Sequence, residues 1–471
     1  MLGNSGLSAV QIGDVQHLLG LLHSDQAATQ HKAVKGLSLL VNISPEAAQA
    51  IDAKVASGLR CQQLSAPAQE VQIAAASTLT ALAKEGSENQ MIIAHAGVLP
   101  LLIQQMSATD TLVQTTAVTA LAHLAAGQQP VASWLLSKGA INHIQQLLQS
   151  AEVELQLAAI EAIDSAAASD LQVRSVVGNV HTLTTLINLL EARDTKTQQT
   201  AASALANMAL TSRDGVNVNM VRCNAAAALV AKLDPLHAAV CHQAARALCN
   251  LSGDNDECDD MISRTNAIPA LAQLFHCSNP RIVAAAGKAL GNLALFSVAN
   301  QEAIADSGVI DACITLISCT GTAHVKEAAC RLLHVLLTDS PRVHTLLSGN
   351  GIDKLTDLLN SPSVSVRHAA AGALSHLLFP RNMPGWKENN ELVNKRNMMS
   401  MFQDELASLR AANQTAHSGD MVMDQLNDIC LNNNGQVSVS ARESQGTASS
   451  ESDQENESVT GMEDDFQEMH V

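Results

Sequence analysis

Most of this chain repeats a single short pattern, in which a glycine or an asparagine precedes an apolar, helix-like segment such as GVLPLLIQQM or NAIPALAQLF. Successive copies are 39, 42, 39, 46, 42, 42 and 43 residues apart, and they begin at Gly58, Gly97, Gly139, Gly178, Asn224, Asn266, Gly308 and Gly351. Repeats of this length indicate a solenoid, because one such unit buries its apolar faces only by stacking on its neighbours. With an incomplete unit before Gly58, we expect about nine units of roughly 42 residues over residues 8–380.

Each unit has the same internal plan. The glycine can adopt a left-handed conformation that ends one helix, and a second helix follows it. After a polar break such as SATD, CSNP or NSPS, a third helix carries the densest Ala/Leu stripe, as in TQQTAASALANMA. Alanine lets such helices approach closely, which agrees with an aromatic content of five Phe, two Trp and no Tyr. The sequence therefore predicts an all-α protein.

The stretch that begins at Ala244, AARALCNLSGDNDECDDMISRTNAIPALAQLF, resembles an armadillo repeat. It has the ALxN ending of the third helix, a polar loop, a short first helix and the Gly/Asn-apolar-Pro-x-Leu start of the second helix. HEAT repeats are the alternative, but the ALxN ending and the Gly before the second helix favour armadillo repeats. The resemblance implies a right-handed superhelix whose third helices line a concave groove.

An asparagine near the end of the third helix recurs in three consecutive units, as Asn207, Asn250 and Asn292. In armadillo proteins this residue commonly hydrogen-bonds the backbone of an extended peptide, and a carboxamide can both donate and accept. The resemblance therefore implies a peptide-binding ladder, in which His123 and His376 occupy the same position elsewhere. The alternative is that these asparagines only tie neighbouring helices together.

A second column lies four residues earlier, on the same helix face, and contains Arg246, Lys288 and Arg331. Importin-α-like proteins carry Trp there to hold basic cargo, whereas Trp134 and Trp386 lie elsewhere in this sequence. The cationic column looks more like that of β-catenin, which implies extended, acidic partner segments. The alternative is an ordinary solvated helix face.

Composition excludes several other functions. A net charge of −18 disfavours a direct nucleic-acid binder. No apolar run approaches the roughly 20 residues of a membrane span. The sequence MLGNSGLSAV lacks the pattern of a signal peptide, and the scattered cysteines indicate reduced thiols, so we expect a cytoplasmic protein, with shuttling to the nucleus as a possibility.

No catalytic constellation is present in the sequence. His237, Cys241 and His242 are spaced for two ligands on one helix, but four ligands are not available locally. We therefore expect a non-enzymatic protein with no cofactor and no metal. Protein interaction is the leading function, and a nucleocytoplasmic transport factor or a regulator of a small GTPase is the alternative.

The composition changes after residue 380. Residues 381–412 are predicted to form a linker and an amphipathic capping helix, and residues 413–471 a disordered acidic tail. From Arg381 onward the net charge is −10, which leaves −8 for the repeats. Ser450 and Ser452 each precede an acidic residue by three positions, a context suited to acidophilic kinases, so they are candidate phosphorylation sites. Contact between this tail and the groove of the same chain is a further hypothesis.

One apolar segment interrupts the tail. Val422, Leu426, Ile429 and Leu431 match the leucine-rich nuclear export pattern. This pattern is degenerate, so a short transient helix without a receptor is the alternative interpretation.

Overall fold

The computed structural model describes residues 63–378 apart from 211–214, 253–255, 296, 319–321, 339–340 and 348–349. It also describes residues 17–43 apart from 19, 22–23 and 25, and the segments 429–431 and 437–439.

Helices form almost all of the described part of the repeat region. Those of its first half are α1 (Ala27–Ile43), α2 (Gln69–Lys84), α3 (Ser87–His95), α4 (Leu99–Gln105), α5 (Thr111–Ala125), α6 (Gln129–Ser137), α7 (Ala140–Leu147), α8 (Val153–Ser169), α9 (Leu171–Val177), α10 (Val180–Leu189) and α11 (Thr195–Met208). Those of its second half are α12 (Val216–Arg222), α13 (Ala225–Val230), α14 (Ala238–Leu251), α15 (Asp256–Ser263), α16 (Ala267–Gln273), α17 (Pro280–Ala294), α18 (Val298–Asp306), α19 (Val309–Ser318), α20 (Ala323–Leu336), α21 (Pro341–Leu347), α22 (Asn350–Asp357) and α23 (Val364–Leu378). Single 3-10 turns lie at Pro235–His237, Leu274–His276 and Leu358–Asn360.

The long helices are the third helices of the repeats, and each packs on the next in the order α1, α2, α5, α8, α11, α14, α17, α20 and α23. This series confirms the predicted all-α armadillo solenoid of about nine units. Small residues allow the close packing. At Gly287, for example, a Cβ atom would lie 3.2 Å from Cβ of Ala328 on the neighbouring third helix.

The turn before the second helix is left-handed in five of the predicted units. The backbone φ angle is 77° at Gly97, 72° at Gly139, 64° at Asn224, 63° at Asn266 and 78° at Gly308. Glycine and asparagine are the residues that adopt this conformation most readily, so the sequence signal has a direct physical basis.

Two other glycines of the series are not left-handed, and Gly58 lies outside the described residues. Gly178 has a φ of −70°, and the adjacent Asn179 caps α10 by accepting a hydrogen bond from the Thr182 amide. Gly178 instead provides space, because a Cβ atom there would lie 2.5 Å from Cγ2 of Val216 in the next unit. Gly351 lies within α22 and has no positive φ. For both residues the predicted left-handed turn is wrong.

The polar breaks supply the N-caps of third helices. The Asp110 carboxylate accepts hydrogen bonds from the Leu112 and Val113 amides at 2.8 and 3.0 Å. Asp194 and Asn279 accept in the same way at the starts of α11 and α17. Each cap satisfies amide groups that have no partner within the helix, so the breaks fix where the third helices begin.

Two short strands lie in the C-terminal part of the chain. β1 (Ile429–Leu431) pairs antiparallel with β2 (Val437–Val439), and Cys430 lies opposite Ser438. The chain divides into compact units at 389/390, nine residues after the predicted end of the repeats. The predicted capping helix of residues 381–412 lies outside the described residues. Within the described residues, no helix has the length and apolar content that crossing a membrane requires.

Candidate peptide-binding surface

The three ladder asparagines lie on consecutive third helices, near the C-terminal ends of α11, α14 and α17. Asn207 is 9% exposed, whereas Asn250 and Asn292 are more accessible. One residue per helix, in register along the stack, is the arrangement that the repeat spacing predicts.

Asn250 and Asn292 each bind the end of the preceding third helix. Nδ2 of Asn250 donates to the Ala206 carbonyl at 2.8 Å, and Nδ2 of Asn292 donates to the Cys249 and Ser252 carbonyls at 2.9 and 3.1 Å. These bonds satisfy carbonyl groups that a helix C-terminus leaves unpaired. Neither Oδ1 atom accepts a hydrogen bond from any described residue. The two side chains are thus held in place by their amide groups and present an acceptor.

Asn207 differs because both ends of its carboxamide are engaged within the protein. Its Nδ2 donates to Oδ1 of Asp164 at 2.6 Å, and its Oδ1 accepts from Nη2 of Arg246 at 3.0 Å. Ser203 completes the group, since its Oγ donates to Oδ2 of Asp164 at 2.9 Å. We call these four residues the Asp164 cluster; it joins α8, α11 and α14.

Asp164 was not singled out from the sequence, where Ser165 aligns with the ladder position. A signal was nevertheless present. Asp164 precedes Asn207 by 43 residues, and Asn207 precedes Asn250 by the same number. A register based on this interval places the carboxylate, not the serine, in line with the asparagines.

Arg246 extends back towards the preceding unit. Its Nη2 atom lies 3.3 Å from the Ser203 carbonyl oxygen, in addition to its bond with Asn207. Its Nε atom is buried and donates to no described residue. Burial lowers the pKa of the guanidinium, and the Asp164 charge opposes this effect. Arg246 is therefore only partly available to a partner.

Lys288 and Arg331, the other residues of the predicted cationic column, are both exposed. No ion pair links Lys288 to a described residue, whereas Nη2 of Arg331 lies 3.0 Å from Oε1 of Glu327 on the same helix. Exposed pairs of this kind are weak, so Arg331 keeps part of its attraction for anions. Lys288 is the least compensated cation of the three.

Two more side chains lie close to this column, and one of them, Arg281, is a cation that the sequence did not single out. His242 is one helical turn before Arg246, and Arg281 is exposed at the start of α17. Burial lowers the pKa of His242, and the charges of Arg246 and Arg281 lower it further. Arg246 on α14 and Arg281 on α17 thus both place positive charge near His242.

The two histidines of the predicted ladder have other surroundings. Burial lowers the pKa of His123 on α5, and the charge of Lys84 adds to this effect. The His376 ring makes an edge-to-face contact with the His334 ring, with 4.6 Å between the centroids. Their predicted role in peptide binding stays a prediction.

The remaining candidate residues are placed as follows. Nδ1 of His237 lies 3.1 Å from Oδ2 of Asp234, and burial raises the pKa of the Cys241 thiol to about 12. In the part of the chain that the structure describes, no three His, Cys, Asp or Glu side chains are grouped to hold a metal ion. Ile429 and Leu431 of the export pattern lie in β1. Val422, Leu426, Ser450 and Ser452 lie outside the described residues.

The Asp164 carboxylate gives a pH-dependent prediction. Burial raises its pKa above the ordinary 3.8, as does Glu161, while Ser203, Asn207 and Arg246 oppose the rise. The folded protein therefore keeps this proton at pH values where the unfolded chain has released it, so the contribution of Asp164 to stability falls as the pH rises through that interval. We expect the natural protein to be more stable relative to Asp164→Asn at pH 4 than at pH 7. Urea titrations measure this as a larger difference between their free energies of unfolding at the lower pH.

Asp194→Asn is the matched control for this experiment. Hydrogen bonds from the Thr197 amide and hydroxyl lower the pKa of Asp194, so its contribution is lost only as the pH falls below the ordinary value. Its difference from the natural protein should therefore stay constant between pH 7 and 5 and decrease, not increase, as the pH approaches 4. A difference for Asp164→Asn that shrinks on acidification would contradict the prediction.

Comparisons with known proteins agree with this architecture. The armadillo/beta-catenin-like repeat family matches residues 86–126, 255–295 and 339–379. Vacuolar protein 8 of Schizosaccharomyces pombe is 28% identical over 153 residues, which are 32% of this chain and 28% of that protein. This chain therefore aligns with little more than a quarter of that relative's length.

A crystal structure of an engineered protein from the Northeast Structural Genomics Consortium superposes with a TM-score of 0.72 at 25% identity. The superposition covers 88% of this chain and 96% of the engineered protein. The three family matches fall within the stacked units, so residues 86–126, 255–295 and 339–379 are armadillo/beta-catenin-like repeats within a solenoid of the armadillo fold.

Proposed function

We propose that this protein is a scaffold that binds extended, acidic segments of partner proteins across α14, α17 and α20. The observation that carries the proposal is the pair of Oδ1 acceptors of Asn250 and Asn292, oriented by their own amide groups. Lys288, which forms no ion pair with a described residue, is exposed one helical turn before Asn292. An extended chain has free backbone N–H groups, and it is the ligand that such acceptors suit.

The acidic character of the partner follows from local charge. α14 and α17 carry Arg246, Arg281 and Lys288, and neither helix contains an acidic residue. α8, by contrast, carries Glu154, Glu161 and Asp164 and no basic residue. The potential along the third helices thus becomes positive towards the C-terminal units, which favours an acidic ligand there.

A synthetic peptide tests the proposal directly. Fluorescein-labelled (Ser-Glu)6 should bind the full-length protein in fluorescence anisotropy, and (Ser-Lys)6 should not. The double substitution Asn250→Ala/Asn292→Ala should weaken (Ser-Glu)6 by about tenfold or more, because each lost hydrogen bond contributes roughly 0.5–1.5 kcal/mol. Equal binding of both peptides, or unchanged affinity in the double variant, would refute the proposal.

Asn300→Ala separates binding from packing in this test. Nδ2 of Asn300 donates to the Leu293 carbonyl at 2.8 Å, so this residue also ties a helix to the end of α17. It is buried on α18 and presents no acceptor at the candidate surface. A loss of affinity in Asn300→Ala equal to that of the double variant would assign the effect to packing.

The acidic tail is the proposed competitor for the same surface. Residues 440–471 contain nine acidic residues and include no residue of β1 or β2. We expect this deletion to increase the affinity for (Ser-Glu)6. A variant of natural length with the nine acids changed to Gln or Asn should reproduce the increase, and unchanged affinity in both variants would reject intramolecular competition.

A further inference from the structure

The Asp164 cluster occupies the N-terminal end of the ladder. At Asn250 and Asn292 the amide group binds a backbone carbonyl and the Oδ1 acceptor stays accessible. At Asn207 the amide group instead donates to the Asp164 carboxylate, and Oδ1 accepts a hydrogen bond from the Arg246 guanidinium. The ladder position that aligns with the other two is therefore filled from within the protein.

The Asp164 carboxylate, which occupies this ladder position, has the chemistry of an acidic ligand. Oδ1 and Oδ2 of Asp164 accept from two different side chains, as the carboxylate of an acidic partner residue would. The same carboxylate stabilises the charge of Arg246, which faces it across Asn207. Asp164 thus occupies Nδ2 of Asn207 directly, and Arg246 is engaged through Oδ1 of the same side chain.

We propose that Asp164 is an internal competitor, which holds Arg246 and Asn207 in place of an acidic side chain of the partner and so ends the binding surface at α14. This inference rests on the proposed function. A partner carboxylate that displaces Asp164 can accept from Nδ2 of Asn207, as Asp164 does, and from Nη2 of Arg246, which donates to Asn207 in this structure.

The competitor has a consequence for specificity. A partner gains the Arg246 contact only if its own carboxylate replaces the one that leaves, so neutral segments bind without it. Asp164 therefore sets a requirement for an acidic residue at this end of the peptide, while Asn250, Asn292 and Lys288 bind the rest. Removing the competitor should raise affinity for acidic peptides and leave neutral peptides unaffected.

Anisotropy with (Ser-Glu)6 and (Ser-Gln)6 on the full-length protein tests this inference. Asp164→Asn should bind (Ser-Glu)6 about five- to tenfold more tightly than the natural protein, since a buried like charge at the site costs affinity. Glu161→Gln is the matched control. It removes the same charge one turn away on α8, from a carboxylate that lies 2.9 Å from Lys196 and makes no bond to the cluster, and it should change affinity by less than about twofold.

A double-mutant cycle makes the outcome specific. In an Arg246→Gln background, Asp164→Asn should give no increase, because the group that it releases is absent. Unchanged or reduced affinity in Asp164→Asn, with native circular dichroism, would overturn the inference, as would an equal increase in Glu161→Gln. If Lys288→Glu also leaves (Ser-Glu)6 binding unaffected, then the proposed function itself fails. If Lys288→Glu abolishes binding and Asp164→Asn has no effect, only the competitor role is refuted.

Discussion

Lys288→Glu should weaken binding of (Ser-Glu)6 by about 10- to 100-fold, which makes it the single substitution with the largest expected effect on binding. Lys288 is exposed, and no described residue forms an ion pair with it. Its attraction for an acidic ligand is therefore not offset within the described part of the protein. Reversing the charge replaces this attraction by repulsion one helical turn before the ladder residue Asn292.

The series Lys288→Arg, Lys288→Gln and Lys288→Glu should show progressively weaker binding if charge is the cause. The loss should also shrink as salt is raised from 50 to 500 mM, since the screening length falls below about 5 Å at the higher concentration. Anisotropy titrations at both concentrations provide the measurement. A loss that is independent of salt would indicate a change of packing instead.

Arg264→Glu is the control for net charge. Arg264 directly follows α15, the first helix of the same unit; its side chain is 74% exposed, and it pairs with Asp260 at 2.6 Å. The substitution changes the charge of the protein by the same amount as Lys288→Glu, but it does so away from the third helices. Equal losses in the two variants would mean that total charge governs binding, and they would contradict a local site at Lys288.

The fold could be predicted from the sequence because its determinants are local and repeated. Three local features determine each unit, and each acts within a few residues of the chain. They are a left-handed turn residue such as Asn224 or Asn266, a capping residue such as Asp110, and an alanine stripe. Their recurrence then specifies the stack, since one unit cannot bury its own apolar faces. Gly178 shows the limit of this reasoning. Its role depends on Val216, a side chain of the next unit, so its local sequence resembles a turn that does not form.

The candidate site was predicted less completely for a similar reason. Spacing located Asn250 and Asn292 on consecutive helices, but it could not show which end of each carboxamide is engaged. That depends on carbonyl groups of the preceding unit, such as that of Ala206. For Arg246 the error is larger. Spacing placed it with Lys288 in one exposed strip, whereas contacts with Asn207 and Ser203 direct it towards its neighbour. Side-chain direction across a repeat interface is not encoded in periodicity.

Phe275→Ala should cause the largest loss of stability among single substitutions of the second half of the array. Phe275 is 1% exposed and lies in the 3-10 turn that follows α16. Its Cζ atom is 3.4 Å from the position of a Cβ atom at Gly287, so the ring fills the space that this glycine leaves on α17. Truncation of a buried phenylalanine to alanine costs about 3–5 kcal/mol, because it leaves a cavity in addition to the lost burial.

Native-state hydrogen exchange measures this loss where it occurs. In a solenoid each unit contacts only its neighbours, so protection should fall in α16, α17 and the adjacent third helices and persist in α5. Phe275→Leu should retain most of the protection, since it removes less volume. Leu236→Ala is the surface control, because Leu236 is 90% exposed and its truncation should change stability by less than about 0.5 kcal/mol.

The same variant connects stability with binding, since α17 carries both Lys288 and Asn292. Apparent affinity falls in proportion to the fraction of molecules whose binding-competent state is populated. Phe275→Ala should therefore bind (Ser-Glu)6 with natural affinity at low temperature, where α17 stays folded, and lose affinity at the temperature where α17 loses its exchange protection. Lys288→Glu should lose affinity at every temperature while its exchange protection stays intact. Phe275→Ala could instead bind weakly at low temperature while the α17 amides stay protected from exchange. In that case binding would depend on the packing of Phe275 against α17 as well as on the exposed face of α17.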